Sequence, residues 1–168
     1  MAPSFAMTDD QEFTAWLASV PPDITTDTIW RMSAYRYSLF LSFCAQEDLR
    51  WILKHRATRA HADQLLRAVG GISANLDEGY SRSRGKERAH FYEYALGSAR
   101  ESRGWYYKCS VALPPVVVVA RTGRLSQIVR ILTVVVPRER EINSMWRKRG
   151  STPGKTPPLD HPAATSSS

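Results

Sequence analysis

One stripe of residues constrains this chain more than any other feature. Thr58, Ala62, Leu65, Val69, Ile72 and Leu76 follow one another at alternating steps of four and three. Such spacing returns to one side of a helix and to neither face of a strand. Arg59, Asp63 and Arg67 lie off the seam. A narrow apolar face on an otherwise polar helix has to be covered by other helices, so the chain is expected to form a helical bundle.

The rest of the sequence supplies the partners. From Asp27 to about Cys44, Trp30, Ala34, Tyr37, Leu41 and Cys44 keep the same spacing, with Thr26 or Asp27 as the cap. The second helix ends near Gly79. After a polar connection, Ser81 to Lys86, a third stripe runs through Phe91, Tyr94, Ala95, Ser98, Ser102, Trp105, Cys109 and Ala112 until Pro114 and Pro115 stop it. Pro115 suits the first turn of a fourth helix with a stripe at Leu125, Ile128, Leu132 and Val135, which Pro137 interrupts. Over 116–136 a two-stranded reading competes, because Val116 to Val119 is β-branched and Arg121-Thr122-Gly123-Arg124 resembles a hairpin turn. A lone hairpin is marginal, which favours helix.

Short connections between long helices predict an all-α, antiparallel up-down-up-down four-helix bundle. The expected organisation is an acidic, flexible N-terminal arm or extra short helix over 1–26, the bundle over 27–149, and a disordered Pro-, Ser- and Thr-rich tail over 150–168. The length, 168 residues, fits one domain. Trp105, Tyr106 and Tyr107 spread aromatics over roughly 200° of the third helix, more than one seam buries. Some of that surface is expected to face another subunit.

Charge is the second constraint. Residues 1–30 carry Asp9, Asp10, Glu12, Asp23 and Asp27 and no Lys or Arg, which leaves 23 basic against 11 acidic residues in the remainder, a surplus of +12. Such a surplus attracts polyanions. The 18 arginines to 5 lysines suit phosphate forks and base stacking, although an arginine-favouring genome gives the same ratio. Candidate nucleic-acid contacts are Arg82, Arg84, Lys86 and Arg88 at the second connection, and Arg138, Arg140, Arg147, Lys148 and Arg149 at the end of the fourth helix. These two zones are expected at opposite ends of the bundle. Tyr80, Phe91, Tyr92 and Trp146 are the aromatics placed to stack on bases. In a competing reading, the acidic arm docks on the basic bundle of a neighbouring copy.

Searches for chemistry return little, and no enzyme, cofactor or metal is expected. The four histidines and two cysteines form no short-spaced ligand pair, although His61 and His90 are placed to meet across helices. Gly150 to Thr156 contains Gly-Lys-Thr without the spacing or preceding strand of a phosphate loop. Cys44 and Cys109 sit in apolar patterns, as small hydrophobes do. No signal-like or membrane-spanning run is recognised, so the cytoplasm is the expected location. Asn75 and Glu78, three residues apart, would form a polar cluster with Glu101 of the next helix, either an acid/base pair or, preferred, a structural element near the chain reversal. In that structural element Gly79 supplies a positive φ, and Gly97 with Ser98 lets the helices approach.

These same residues carry a family resemblance. Ile72-Ser73-Ala74-Asn75-Leu76-Asp77-Glu78-Gly79-Tyr80, followed by Phe91 and Ala95-Leu96-Gly97-Ser98-Ala99-Arg100-Glu101, resembles the 23S rRNA intervening-sequence protein family. Its members read S-x-x-A-N-I-A-E-G in helix two and A-L-G-S-x-x-E in helix three. With weaker marks at Trp30 and Arg130-Ile131-Leu132, the resemblance spans about 28–136. It implies a four-helix bundle without catalysis. A related group, the accessory variability determinant proteins of diversity-generating retroelements, forms basic homopentamers that bind a reverse transcriptase and its template RNA. By resemblance, an oligomeric ribonucleoprotein subunit is implied here.

Overall fold

The computed structural model describes residues 8–82 and 85–150, with side-chain surroundings as far as residue 141. Arg84, the side chains of Trp146, Arg147, Lys148 and Arg149, and the tail from residue 151 lie outside that description. Among the described residues there is no strand. Helices α1 (Asp9–Ser19) and α2 (Pro22–Thr25) and a 3₁₀ turn at Thr28–Arg31 lead into α3 (Ser33–Ile52). A connection with a second 3₁₀ turn, Arg59–His61, precedes α4 (Ala62–Ser81), and α5 (Lys86–Lys108) and α6 (Pro115–Gly150) follow.

Each long helix buries the side its sequence marks. On α4, Ala62, Leu65, Val69, Ile72 and Leu76 are all buried. Ala34, Leu41 and Cys44 do the same on α3, which continues past Cys44 to Ile52 and carries the buried Asp48. Asp27 does cap, but its side chain accepts from the Ile29 N–H of the 3₁₀ turn, so the helix proper begins at Ser33. α3 packs on α4 and α6, and α5 packs on α4 and α6. Gly71 faces Ser98 and Gly79 faces Tyr92, so α5 runs back along α4.

The stripe of the third helix is shifted from its expected position. α5 buries Ala89, Tyr92, Ala95, Ala99, Ser102 and Tyr106, while Tyr94 is half exposed. Tyr92 is therefore core and offers no stacking face. In the aromatic triplet, Tyr106 is fully buried and Tyr107 is 74% exposed, as a single seam dictates.

Residues 116–136 are helix, not hairpin. Arg121 and Arg124, read as turn residues, share one helical side and are both buried. Nor does Pro137 interrupt the element, for α6 passes through it. Pro137 is exposed, as is Thr133, whose carbonyl loses its helical donor to the proline.

Candidate nucleic-acid interface

Between α4 and α5 the chain reverses over Arg82 to Lys86. Gly85 takes φ 106°, a conformation that side chains with a Cβ adopt only under strain. The positive φ lies here rather than at Gly79, which sits inside α4, where a Cβ would come within 2.8 Å of the Tyr92 ring and 3.0 Å of Phe91 Cβ. Gly79 is thus the site of closest α4–α5 approach. Gly71 repeats the device against Ser98, whereas the Cα of Gly97 faces open space.

The candidate cations of this reversal are largely engaged. Arg88 donates from Nε to the Gly79 carbonyl (3.2 Å) and from its terminal nitrogen to the carbonyls of Tyr80 (3.1 Å) and Arg82 (2.8 Å), closing the end of α4. Arg82 pairs with Glu78 and lies 3.8 Å from Glu87. Arg140, from α6, pairs with Glu93 at 2.5 Å. Lys86 and Arg138 are exposed. The Arg140–Glu93 pair, with the Gly85 N–H 3.5 Å from a Glu139 oxygen, brings both basic zones to one end of the molecule. The expectation of opposite ends is corrected: α6 descends beside α5 and finishes where α5 starts.

Asn75, Glu78 and Glu101 form no cluster. Asn75 donates to the Gly71 carbonyl (2.7 Å), Glu78 takes Arg82, and Glu101 accepts from Trp105 Nε1 (3.1 Å). The α4–α5 register is the reason. With Gly71 level with Ser98 and Gly79 with Tyr92, Asn75 lies opposite the stretch near Ala95, and Glu101 is nearly two turns away. The same register separates the histidines: His61 packs on Trp105 at one end of α5 and His90 on Tyr94 at the other. Among the described residues, no group of three or more His, Cys, Asp or Glu is placed to hold a metal, and no helix is long and apolar enough to cross a membrane.

The largest charged assembly is one the sequence reading did not join. Arg121 Nε donates to Asp48 (3.1 Å), and its NH1 reaches Glu12 (3.1 Å) and Asp9 (3.5 Å). Arg124, only 3% exposed, binds Asp9 through Nε (2.9 Å) and Asp10 (2.8 Å), beneath the rings of Phe13 and Tyr37 at 4.9 and 4.7 Å. Tyr106 donates to Asp48 (2.9 Å). Burial raises the Asp48 pKa against the pull of Arg121, and burial with the Asp48 charge raises that of Tyr106, which therefore remains a donor. The acidic segment is thus a helix rather than a flexible arm. A Thr8–Gln11 capping box starts α1, and its carboxylates compensate guanidiniums on the same chain. The signal was present in an acid-rich segment lacking Lys and Arg, and in two arginines three apart within an apolar stripe.

A second basic surface lies at the other end. From Leu49 through Ala62 the sequence holds Arg50, Lys54, Arg56, Arg59 and two histidines, and no acid. Thr58 Oγ1 donates to the Ile52 carbonyl (2.8 Å) and Arg59 Nε to that of Leu53 (3.0 Å), which folds the connection back on the end of α3.

With this geometry in place, comparison with known proteins is informative. The model of the 23S rRNA-intervening sequence protein family matches residues 49–112. The matched stretch contains the acid-free connection, α4 and α5, and both motifs that carried the resemblance, and is narrower than 28–136. No curated protein and no solved structure matches the chain.

Proposed function

We propose that this chain is a non-enzymatic, basic, antiparallel four-helix bundle that binds RNA in the cytoplasm as an oligomeric accessory subunit of a ribonucleoprotein. The observation that carries the proposal is the match of residues 49–112 to a family named for an rRNA insertion. Charge supports it. Arg121 and Arg124 engage Asp9, Asp10, Glu12 and Asp48, an assembly with two more acids than bases. Its acids are held at one place, leaving the remaining surface more basic than the net +7. Exposed Tyr107, Val111, Val116 and Val119 support contacts between copies, for which a homopentamer is the form the resemblance implies. A reverse transcriptase is the protein partner implied by the same route.

Filter binding of labelled single-stranded RNA to the full chain tests the proposal. Retention at low salt that is lost at high salt is expected, and no retention at low salt would refute it. The scaffold alternative, with the acidic segment docked on a neighbour, is less well supported because α1 pairs with α6 of its own chain.

A further inference from the structure

We infer that single-stranded nucleic acid docks on the end of the molecule formed by the α3–α4 connection and the last turn of α5, not on the α4–α5 reversal that the sequence favoured. This placement rests on the RNA-binding reading and goes beyond it by assigning the surface and the kind of strand.

Three observations converge. First, the cations at this end are more available. Lys54 and Arg56 are exposed on a stretch with no carboxylate between Asp48 and Asp63. At the other end Arg82 and Arg140 are paired with acids, and Arg88 closes α4. A phosphate approaching Arg82, Arg140 or Arg88 would have to displace Glu78, Glu93 or three carbonyls, which leaves Lys86 and Arg138 as the exposed cations of that end. At the connection, Arg50 alone is held by an acid, Glu47 at 2.5 Å, and that pair is exposed.

Second, aromatic faces accompany the charge. Trp51, in the last turn of α3, is 36% exposed, and Leu53 just after it is 44% exposed. Trp105 is flanked by His61, with ring centroids 5.2 Å apart, and by Lys108 Nζ, 3.9 Å from its ring centre. Trp105 is partly exposed and also donates to Glu101. Trp51, exposed on the same stretch as Lys54 and Arg56, is therefore the main stacking face for an unpaired base whose phosphate meets those cations, and a duplex keeps its bases out of reach of such a face. Third, the platform is fixed in advance. Thr58, 1% exposed, and Arg59 tie the connection to the Ile52 and Leu53 carbonyls, so little ordering opposes binding.

Fluorescence anisotropy with a labelled oligouridylate, alone and annealed to its complement, tests the placement on the full chain. Lys54→Ala with Arg56→Ala is expected to weaken single-strand binding about tenfold and to flatten the log–log salt slope by roughly 1.4, the share of two phosphate contacts. Trp51→Leu is expected to cost about tenfold, with Trp51→Phe retaining most of the affinity. Lys86→Ala with Arg138→Ala should weaken binding clearly less than Lys54→Ala with Arg56→Ala, since it removes the same charge from outside the contact surface. Circular dichroism controls for folding. If the wild type binds and only the Lys86/Arg138 variant weakens, the placement falls while RNA binding stands. Duplex binding as tight as single-strand binding, or no loss in folded Trp51→Leu, would overturn the single-strand assignment. A wild type that binds neither probe at low salt overturns both readings.

Discussion

Gly79 and Gly97 sit eighteen residues apart in two packed helices, and the structure gives them opposite consequences. A methyl group at Gly79 meets the Tyr92 ring and Phe91 Cβ, whereas one at Gly97 meets nothing within 4 Å. Gly79→Ala should therefore destabilise the chain by about 1–3 kcal/mol through overpacking. Gly97→Ala should stabilise it by about 0.5–1 kcal/mol through helix propensity. Urea denaturation of the two variants checks both signs. Asp48→Ala should cost about 3–5 kcal/mol, since it removes the most buried anion from Arg121 and the acceptor from Tyr106; a loss below about 1 kcal/mol would show that Glu12 and Asp9 suffice. None of these assignments was legible from residue type alone. A glycine near a helix end reads equally well as a turn residue or as a packing contact, and only the register of the facing helix separates the two.

The long helices were legible because their stripes are unbroken, and the errors fall where a stripe includes polar residues. α3 runs eight residues past Cys44, where its apolar stripe in the sequence stops, through a polar stretch whose Asp48 is buried on Arg121. On α5 the stripe was drawn through Tyr94 because Tyr92 and Tyr106 stand next to other aromatics, where periodicity cannot choose a side. In α6 the favoured helical reading of 116–136 holds, and Arg121 and Arg124, which also fit a turn motif, lie within the helix. α1 was missed as a packed element because its ion-pair partners on α6 lie more than 100 positions away, as in Asp9 to Arg124, although Phe13 and Trp16 also pack on the nearer Trp30, Tyr37 and Phe40. Replacing Asp9 and Asp10 with Asn and Glu12 with Gln should lower the melting temperature without changing molecular mass in light scattering, because the contacts are within one chain. A change of mass would instead favour docking between copies. Pro137→Ala should stabilise α6 by up to about 3 kcal/mol, read by thermal denaturation, and a loss of stability would mean that contacts of the proline ring outweigh its helix penalty.

Taken as one object, the molecule is an acid-stapled helical assembly whose cations are unequally available. At the α4–α5 reversal Arg88 closes a helix end and Arg82 and Arg140 face glutamates, leaving Lys86 and Arg138 exposed, whereas at the α3–α4 connection Lys54 and Arg56 face water on a stretch without acids. The surplus charge was readable from composition, but its distribution was not, because pairing and capping are decided by which helix ends meet. The resemblance was readable from two motifs on α4 and α5, and the family match over residues 49–112 contains both. What those motifs do is mostly structural: Asn75 bonds its own helix, Glu78 holds Arg82, and Gly79 and Ser98 mark the helix contact. RNA recognition is therefore expected from the charged and aromatic surface around the helices rather than from the motif residues themselves. The most direct test is the affinity of the full chain for single-stranded RNA as a function of salt. The account predicts a log–log slope of about −2 or steeper, corresponding to three or more phosphate contacts. A slope near zero, or no measurable binding at low salt, would contradict it.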